Sequence, residues 1–243
     1  MLNENQFVPY ETTELPVASG PWLVFAPHAD DESFGMGGTL AKAARKGIET
    51  HLVIMTDGAL GGDQEKLVQV RQQEASEAAQ ILGMRTPVFL DNRDRHLHLS
   101  TVAQQQVKAA ILEIQPTAVY FPGCFELHPD HRTTAALVWT ALQEINNEEI
   151  VPVSYEILVQ SPINTLVDIG AQLNIKKTAI AAYTSQLNEN RYLEIALAMN
   201  QLRAATLRGD ISHAEGFYCY KHRDIARSYA EFAERKIARY FDL

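Results

Sequence analysis

Cysteine is almost missing from this chain: Cys124 and Cys219 are the only two in 243 residues, and they stand far apart. Two such thiols build neither a disulfide framework nor a zinc ribbon, so both are expected as free, buried residues. No stretch reaches the roughly 18 apolar residues of a membrane span. No cluster of Lys and Arg has the length used to grip phosphate backbones or anionic membranes. With 30 Asp and Glu against 21 Lys and Arg, the formal net charge is -9, a balance that excludes nucleic acid as the expected partner and suits a cation better. Residues 1–6 lack the basic start and apolar run of a secretory signal, which makes the cytoplasm the expected location. Long polar or Pro/Gly-rich linkers are lacking as well, so residues 1–243 are expected to form a single domain.

What is present is an ordinary globular composition, 46% hydrophobic and 21% charged, sufficient for a packed core. Short apolar runs at 22–26, 51–55, 88–90 and 118–121 alternate with helix-period segments at about 34–46, 64–82, 102–114 and 132–143. Gly47 and Gly83 close the first two helices. Strand-like runs follow at 155–159 and 166–169, with helices near 175–184, 192–206 and 225–240. This alternation predicts an α/β fold, a Rossmann-like three-layer α/β/α domain with a mainly parallel sheet. In the common doubly wound order 3-2-1-4, the first and fourth strands are neighbours where the chain reverses, and their carboxyl ends frame a ligand crevice.

Two polar clusters land at that crevice. The first strand runs straight into Pro27-His28-Ala29-Asp30-Asp31-Glu32, and the fourth leads within a few residues to His128-Pro129-Asp130-His131. Three histidines and four carboxylates from segments about a hundred residues apart are what a divalent ion with nitrogen and oxygen ligands requires. His28, one of the adjacent aspartates and a histidine of the second cluster make a two-His-one-carboxylate set, which leaves a coordination position open for water and implies catalysis. Zinc in such a set brings its water to a pKa of about 7 and polarises a carbonyl, and the remaining carboxylate takes the water's proton. Spacing does not decide which of Asp30 and Asp31 binds the metal. His128, as imidazolium, is placed to protonate a departing amine or to stabilise an oxyanion, and Asp130 to orient a histidine. Gly35-Met36-Gly37-Gly38 falls short of a dinucleotide fingerprint, and three acidic residues before it would repel phosphate. His96, His98 and His213 are read as loop or structural residues.

These motifs resemble those of the PIG-L/LmbE-like de-N-acetylases, whose first signature is usually Pro-His-Pro-Asp-Asp-Glu and whose second is His-Pro-Asp-His. The likeness continues through Gly37-Gly38-Thr39-Leu40, Thr56-Asp57-Gly58, Arg71 and Glu74, Leu82-Gly83, Asp168-Ile169, Lys177, Ala182-Tyr183-Thr184-Ser185-Gln186 and Ala214-Glu215-Gly216-Phe217. It implies that His28, Asp31 and His131 hold the metal, zinc or another divalent ion such as Fe2+. It further implies Asp30 as general base, His128 as acid or electrostatic stabiliser with Asp130 as its support, and Arg71 and Asp94 as contacts to the sugar. The reaction implied is removal of the N-acetyl group from a GlcNAc-type sugar or glycoconjugate. Two residues depart from the pattern: Ala29 replaces the second proline, and Glu126 stands where some relatives place a tyrosine near the oxyanion. A carboxylate there would repel a developing oxyanion unless it turns away or is protonated. The competing readings are a metal-dependent phosphoesterase using magnesium and a non-catalytic carbohydrate-binding protein on the same fold.

Overall fold

The computed structural model of the protein describes residues 10–58, 64–187 and 190–238. Residues 1–6, expected to carry no secretory signal, and the last two residues expected in the C-terminal helix, 239–240, lie outside them. A three-residue edge strand, β1 (Glu11–Thr13), precedes the central strands β2 (Trp22–Ala26), β3 (Thr50–Thr56), β4 (Val88–Asn92) and β5 (Ala118–Pro122). Three further strands, β6 (Val151–Tyr155), β7 (Thr165–Asp168) and β8 (Ala214–Cys219), complete an eight-stranded sheet of order β1-β7-β8-β6-β5-β2-β3-β4. The first four expected strands therefore lie in the doubly wound order, with β2 paired in parallel to both β3 and β5. Only β8 runs antiparallel, to β6 and to β7.

β2 and β5 are buried along their whole length, as continuous apolar runs are when helices cover both faces of a parallel sheet. Their alternation supplies two cores. Trp22, Val24 and Ala26 pack on one face with α1 (Asp31–Arg45), α2 (Gln64–Leu82), α5 (Leu173–Ala182) and α7 (Tyr192–Ala204). Leu23 and Phe25 pack on the other with α3 (Thr101–Ile114), α4 (Pro129–Ile145) and α9 (Tyr229–Ala238). The short helices α6 (Thr184–Leu187) and α8 (His222–Ile225) finish the three-layer α/β/α fold.

The expected boundaries shift where side chains take over backbone hydrogen bonds. The strand expected at 155–159 is instead β6, which ends at Tyr155. Beyond it, the amides of Ile157, Leu158 and Val159 donate to the Glu126 carboxylate rather than to a neighbouring strand. Asp31 and Glu32 form the first turn of α1 rather than a loop before it, and Pro129 through His131 open α4 in the same way. Cys124 and Cys219 form no disulfide and are half-buried rather than enclosed.

α1 is broken at Met36, whose backbone is non-helical. A break leaves a carbonyl on one side and amides on the other without helical partners. Buried Lys176 donates from Nζ to the Phe34 carbonyl at 2.8 Å, while Glu215 accepts from the amides of Gly38 at 2.9 Å and Thr39 at 2.7 Å. The two side chains, both fully enclosed, pair at 2.7 Å. Gly35 sits in the same stretch because a Cβ there would lie 2.5 Å from the Glu156 carbonyl oxygen and the Tyr155 ring.

Candidate functional site

The carboxyl ends of β2, β4, β5 and β6 all deliver residues to one cavity of about 200 Å3. His28, Asp30 and Asp31 arrive from β2, Asp94 and Arg95 from β4, His128 and His131 from β5, and Ile157 and Leu158 from β6. The cavity straddles β2 and β5, from which the sheet grows in opposite directions, the place where ligands bind in open α/β sheets.

Asp30 precedes α1 in the N-cap position, yet its side chain makes no capping hydrogen bond. Its backbone lies at φ 130 and ψ -29, outside the regions that residues other than glycine favour, a strain of about 1–3 kcal/mol typical of functional positions. The carboxylate that would ordinarily cap the helix lines the cavity instead. The Oδ2 of the next residue accepts the His28 amide at 2.9 Å and lies 3.2 Å from both His28 Nδ1 and His131 Nε2.

On the opposite wall, the His-Pro-Asp-His segment folds as a helix start, with Pro129 in the first turn and His128 as N-cap. The His128 Nδ1 accepts the Asp130 amide at 3.2 Å, so the proton of the neutral ring resides on Nε2. The carboxylate of Asp130 turns to His28 rather than to His128: its Oδ2 lies 3.3 Å from His28 Nε2 and accepts the Arg95 amide at 2.7 Å. Its Oδ1 is buried without a hydrogen-bond partner. Asp94 adds another oxygen 3.2 Å from His28 Nε2.

Crowded charge sets the protonation of the site. Burial, then the neighbouring Asp31, push the Asp30 carboxyl well above its ordinary range. Burial also acts on Asp31, but His131 and His28 outweigh it and hold that carboxyl far down. Burial opposes protonation of His131, whereas Asp31 favours it and carries the ring to about 9. For His28 the contacts to Asp130, Asp31 and Asp94 likewise overcome burial and raise it. His128 moves the other way, lowered by burial and by the two neighbouring histidines. Burial would raise Asp94, but its contact with His28 leaves it at about 2.

Among the described residues, ligand atoms of His28, His128 and His131 lie within 4.8 Å of one another, as do those of His28, Asp94, His128 and Asp130. Asp31 stands outside both groups, yet its Oδ2 touches two of the histidines. Two donors each about 2.1 Å from a tetrahedral ion stand about 3.4 Å apart, close to the two 3.2 Å spacings around Asp31. Mixed imidazole and carboxylate donors, with the orphaned Asp130 Oδ1 beside them, fit a divalent cation.

All eight residues singled out from the sequence come to this place: His28, Asp30, Asp31, Arg71, Asp94, His128 and His131 line the cavity, and Asp130 lies directly behind His28. Arg71 packs over Gly58. Phe34, Arg95, Ile157, Leu158, Asn190 and Tyr192 also line the cavity and carry no motif that marks them. Glu126 does turn away from it: the side chain is enclosed and occupied by the 157–159 amides. His213 is buried elsewhere.

The comparisons agree with this geometry. The family profile described as GlcNAc-PI de-N-acetylase (PIG-L) matches residues 23–142. Diacetylchitobiose deacetylase of Thermococcus kodakarensis is 28% identical over 189 residues, spanning 69% of this chain and 70% of that protein. A probable N-acetyl-alpha-D-glucosaminyl L-malate deacetylase 2 of Bacillus cereus is 25% identical over 218 residues, 82% of this chain and 97% of its own. The solved N,N'-diacetylchitobiose deacetylase of Pyrococcus horikoshii superposes with a TM-score of 0.75 at 25% identity, covering 83% of this chain and 84% of that one. The chain belongs to the PIG-L/LmbE-like de-N-acetylase family. No helix of the described residues is long and apolar enough to cross a membrane.

Proposed function

We propose that the protein is a metal-dependent hydrolase that removes the acetyl group from a GlcNAc-type sugar or glycoconjugate, releasing acetate and a free amine. The observation that carries this reading is the meeting of His28, Asp31 and His131 beside the uncapped carboxylate of Asp30. His28, Asp31 and His131 would hold the cation, zinc first and Fe2+ second. When bound, such an ion supplies Lewis acidity toward the amide carbonyl and acidifies the attacking water.

The remaining steps fall to the chain's own groups. Asp30 takes the proton of the attacking water, and its raised pKa makes it a stronger base than an exposed aspartate. His128 carries its proton on Nε2 and donates a hydrogen bond to the oxygen that gains negative charge. Asp30 then returns its proton to the departing nitrogen, so that one water and one amide become one carboxylic acid and one amine, and the acid's proton passes to the amine to leave acetate and an ammonium group. Asp130 holds His28 in orientation from behind. Arg71 and Asp94 bind sugar hydroxyls. The class of substrate is supported by the relatives named for diacetylchitobiose and N-acetylglucosaminyl malate. We also read the chain as one domain, because its eight described strands share one sheet.

The test is acetate release from a panel of N-acetylglucosaminides by the zinc-loaded protein, beside Asp30→Ala, His131→Ala and chelated wild type. Release by the loaded wild type that disappears in the other three is expected. A folded, zinc-bound wild type that releases no acetate from any member would contradict the reading.

A further inference from the structure

Glu126 is a buried acid for which the proposed reaction has no direct use. Its side chain is fully enclosed. Oε1 accepts from the amides of Ile157 at 2.8 Å, Leu158 at 3.2 Å and Val159 at 3.4 Å. Oε2 accepts from the Leu158 amide at 3.3 Å and faces His131 Nδ1 at 3.4 Å. Three successive amides turned toward one acceptor form an anion-holding concavity of the chain's own making. The same carboxylate thus touches both the cavity wall, where Ile157 and Leu158 lie, and the ring whose other nitrogen meets Asp31.

We propose that Glu126 is a positioning residue: it accepts the Nδ1 proton of His131, fixes Nε2 as the nitrogen presented beside Asp31, and ties that ring to Ile157 and Leu158 in the cavity wall. The inference rests on the cation reading above. An outer carboxylate that receives the far N–H of a ligand histidine sets both its tautomer and its ring plane, and losing it typically weakens metal binding about 10- to 100-fold. Exposed solvent could not substitute, because neither Glu126 nor His131 is open to it. A glutamine at this position keeps the size of the side chain, but its amide nitrogen is a donor and meets further donors at 157–159.

The experiment is a chelator-competition titration of zinc into the full-length protein, comparing wild type, Glu126→Gln and Glu126→Asp, each checked for folding by circular dichroism. A proton–nitrogen correlation spectrum of the zinc-loaded proteins reports which nitrogen of His131 carries the proton. Glu126→Gln is expected to bind zinc on the order of 10–100-fold more weakly and to lose the single Nδ1–H tautomer. Glu126→Asp, which keeps the acceptor but withdraws it by one methylene, is expected to fall between the two. If Glu126→Gln fails to fold, a weaker affinity in Glu126→Asp with a disturbed His131 signal still supports the proposal. Equal affinity and an unchanged tautomer in a folded variant overturn it. A wild type that binds no zinc overturns the cation reading itself, and the inference with it.

Discussion

Buried charge surrounds α1 in two places, and the two clusters are opposite in kind. At its break, Lys176 and Glu215 form a closed set: Nζ reaches the Phe34 carbonyl and Glu215, while both carboxylate oxygens accept backbone amides. At its first turn, Asp30, Asp31, Asp94 and Asp130 crowd three histidines, Asp30 leaves the cap unmade, and Asp130 Oδ1 has no partner at all. A closed network consumes its polarity in specifying structure, whereas one left open and strained keeps its polarity for a ligand.

The sharpest way to break this comparison is to neutralise one member of each cluster. Asp30→Asn is expected to lower acetate release by roughly 100- to 10,000-fold, the range for losing a general base, without lowering Tm, because it removes a crowded carboxylate. Activity assays and thermal melts of the same preparation check both halves. Lys176→Met should do the reverse for stability, costing about 3–5 kcal/mol in denaturant unfolding, since it strands Glu215 without its counter-charge. Lys176→Met/Glu215→Gln is expected to recover part of that loss. Recovery stays incomplete because glutamine offers one acceptor oxygen for the two amides of Gly38 and Thr39.

A smaller effect tests the substrate wall. A Cβ at Gly58 would lie 2.4 Å from Arg71 Nη1, and the residue's φ of +61 disfavours a side chain. Gly58→Ala is expected to push the guanidinium aside and raise KM about fivefold, equivalent to a hydrogen bond of about 1 kcal/mol, with kcat little changed. Steady-state kinetics on an N-acetylglucosaminide measure it. The smallest effect belongs to His213, outside the cavity and near the closed cluster. Its pKa is lowered, first by burial and then by Lys177 and Lys176. A histidine whose folded pKa lies below its unfolded value contributes fully above the unfolded value, and that contribution is lost as pH falls through the folded one. His213→Gln is therefore expected to show a shallower decline of Tm from neutral to mildly acidic pH than wild type.

Much of this arrangement was legible in the residues. Buried parallel strands read as unbroken apolar runs, so β2, β3 and β5 followed from the pattern, while the more exposed edge strand β4 showed only as a short apolar run; their order is the common doubly wound one. The His-Ala-Asp-Asp and His-Pro-Asp-His segments declared a cation site because their residue types have few other reasons to gather. What stayed hidden depends on long-range hydrogen bonds. The mixed run Ala-Glu-Gly-Phe-Tyr-Cys gives no strand signal, yet β8 forms between β6 and β7. Residues 156–159 look like a strand, but Glu126 captures their amides from about thirty positions away. The break at Met36 is likewise visible only once Lys176 and Glu215 are brought beside it. Arg95, Asn190 and Tyr192 reach the cavity through tertiary placement alone.

The most direct measurement of the central claim is a zinc titration of chelated protein in which acetate release from an N-acetylglucosaminide is followed at each addition. Release is expected to rise in proportion to zinc and to break at one equivalent per chain, with His131→Ala giving no such break. Release that is already full in the chelated protein, or none at one bound equivalent, would contradict it.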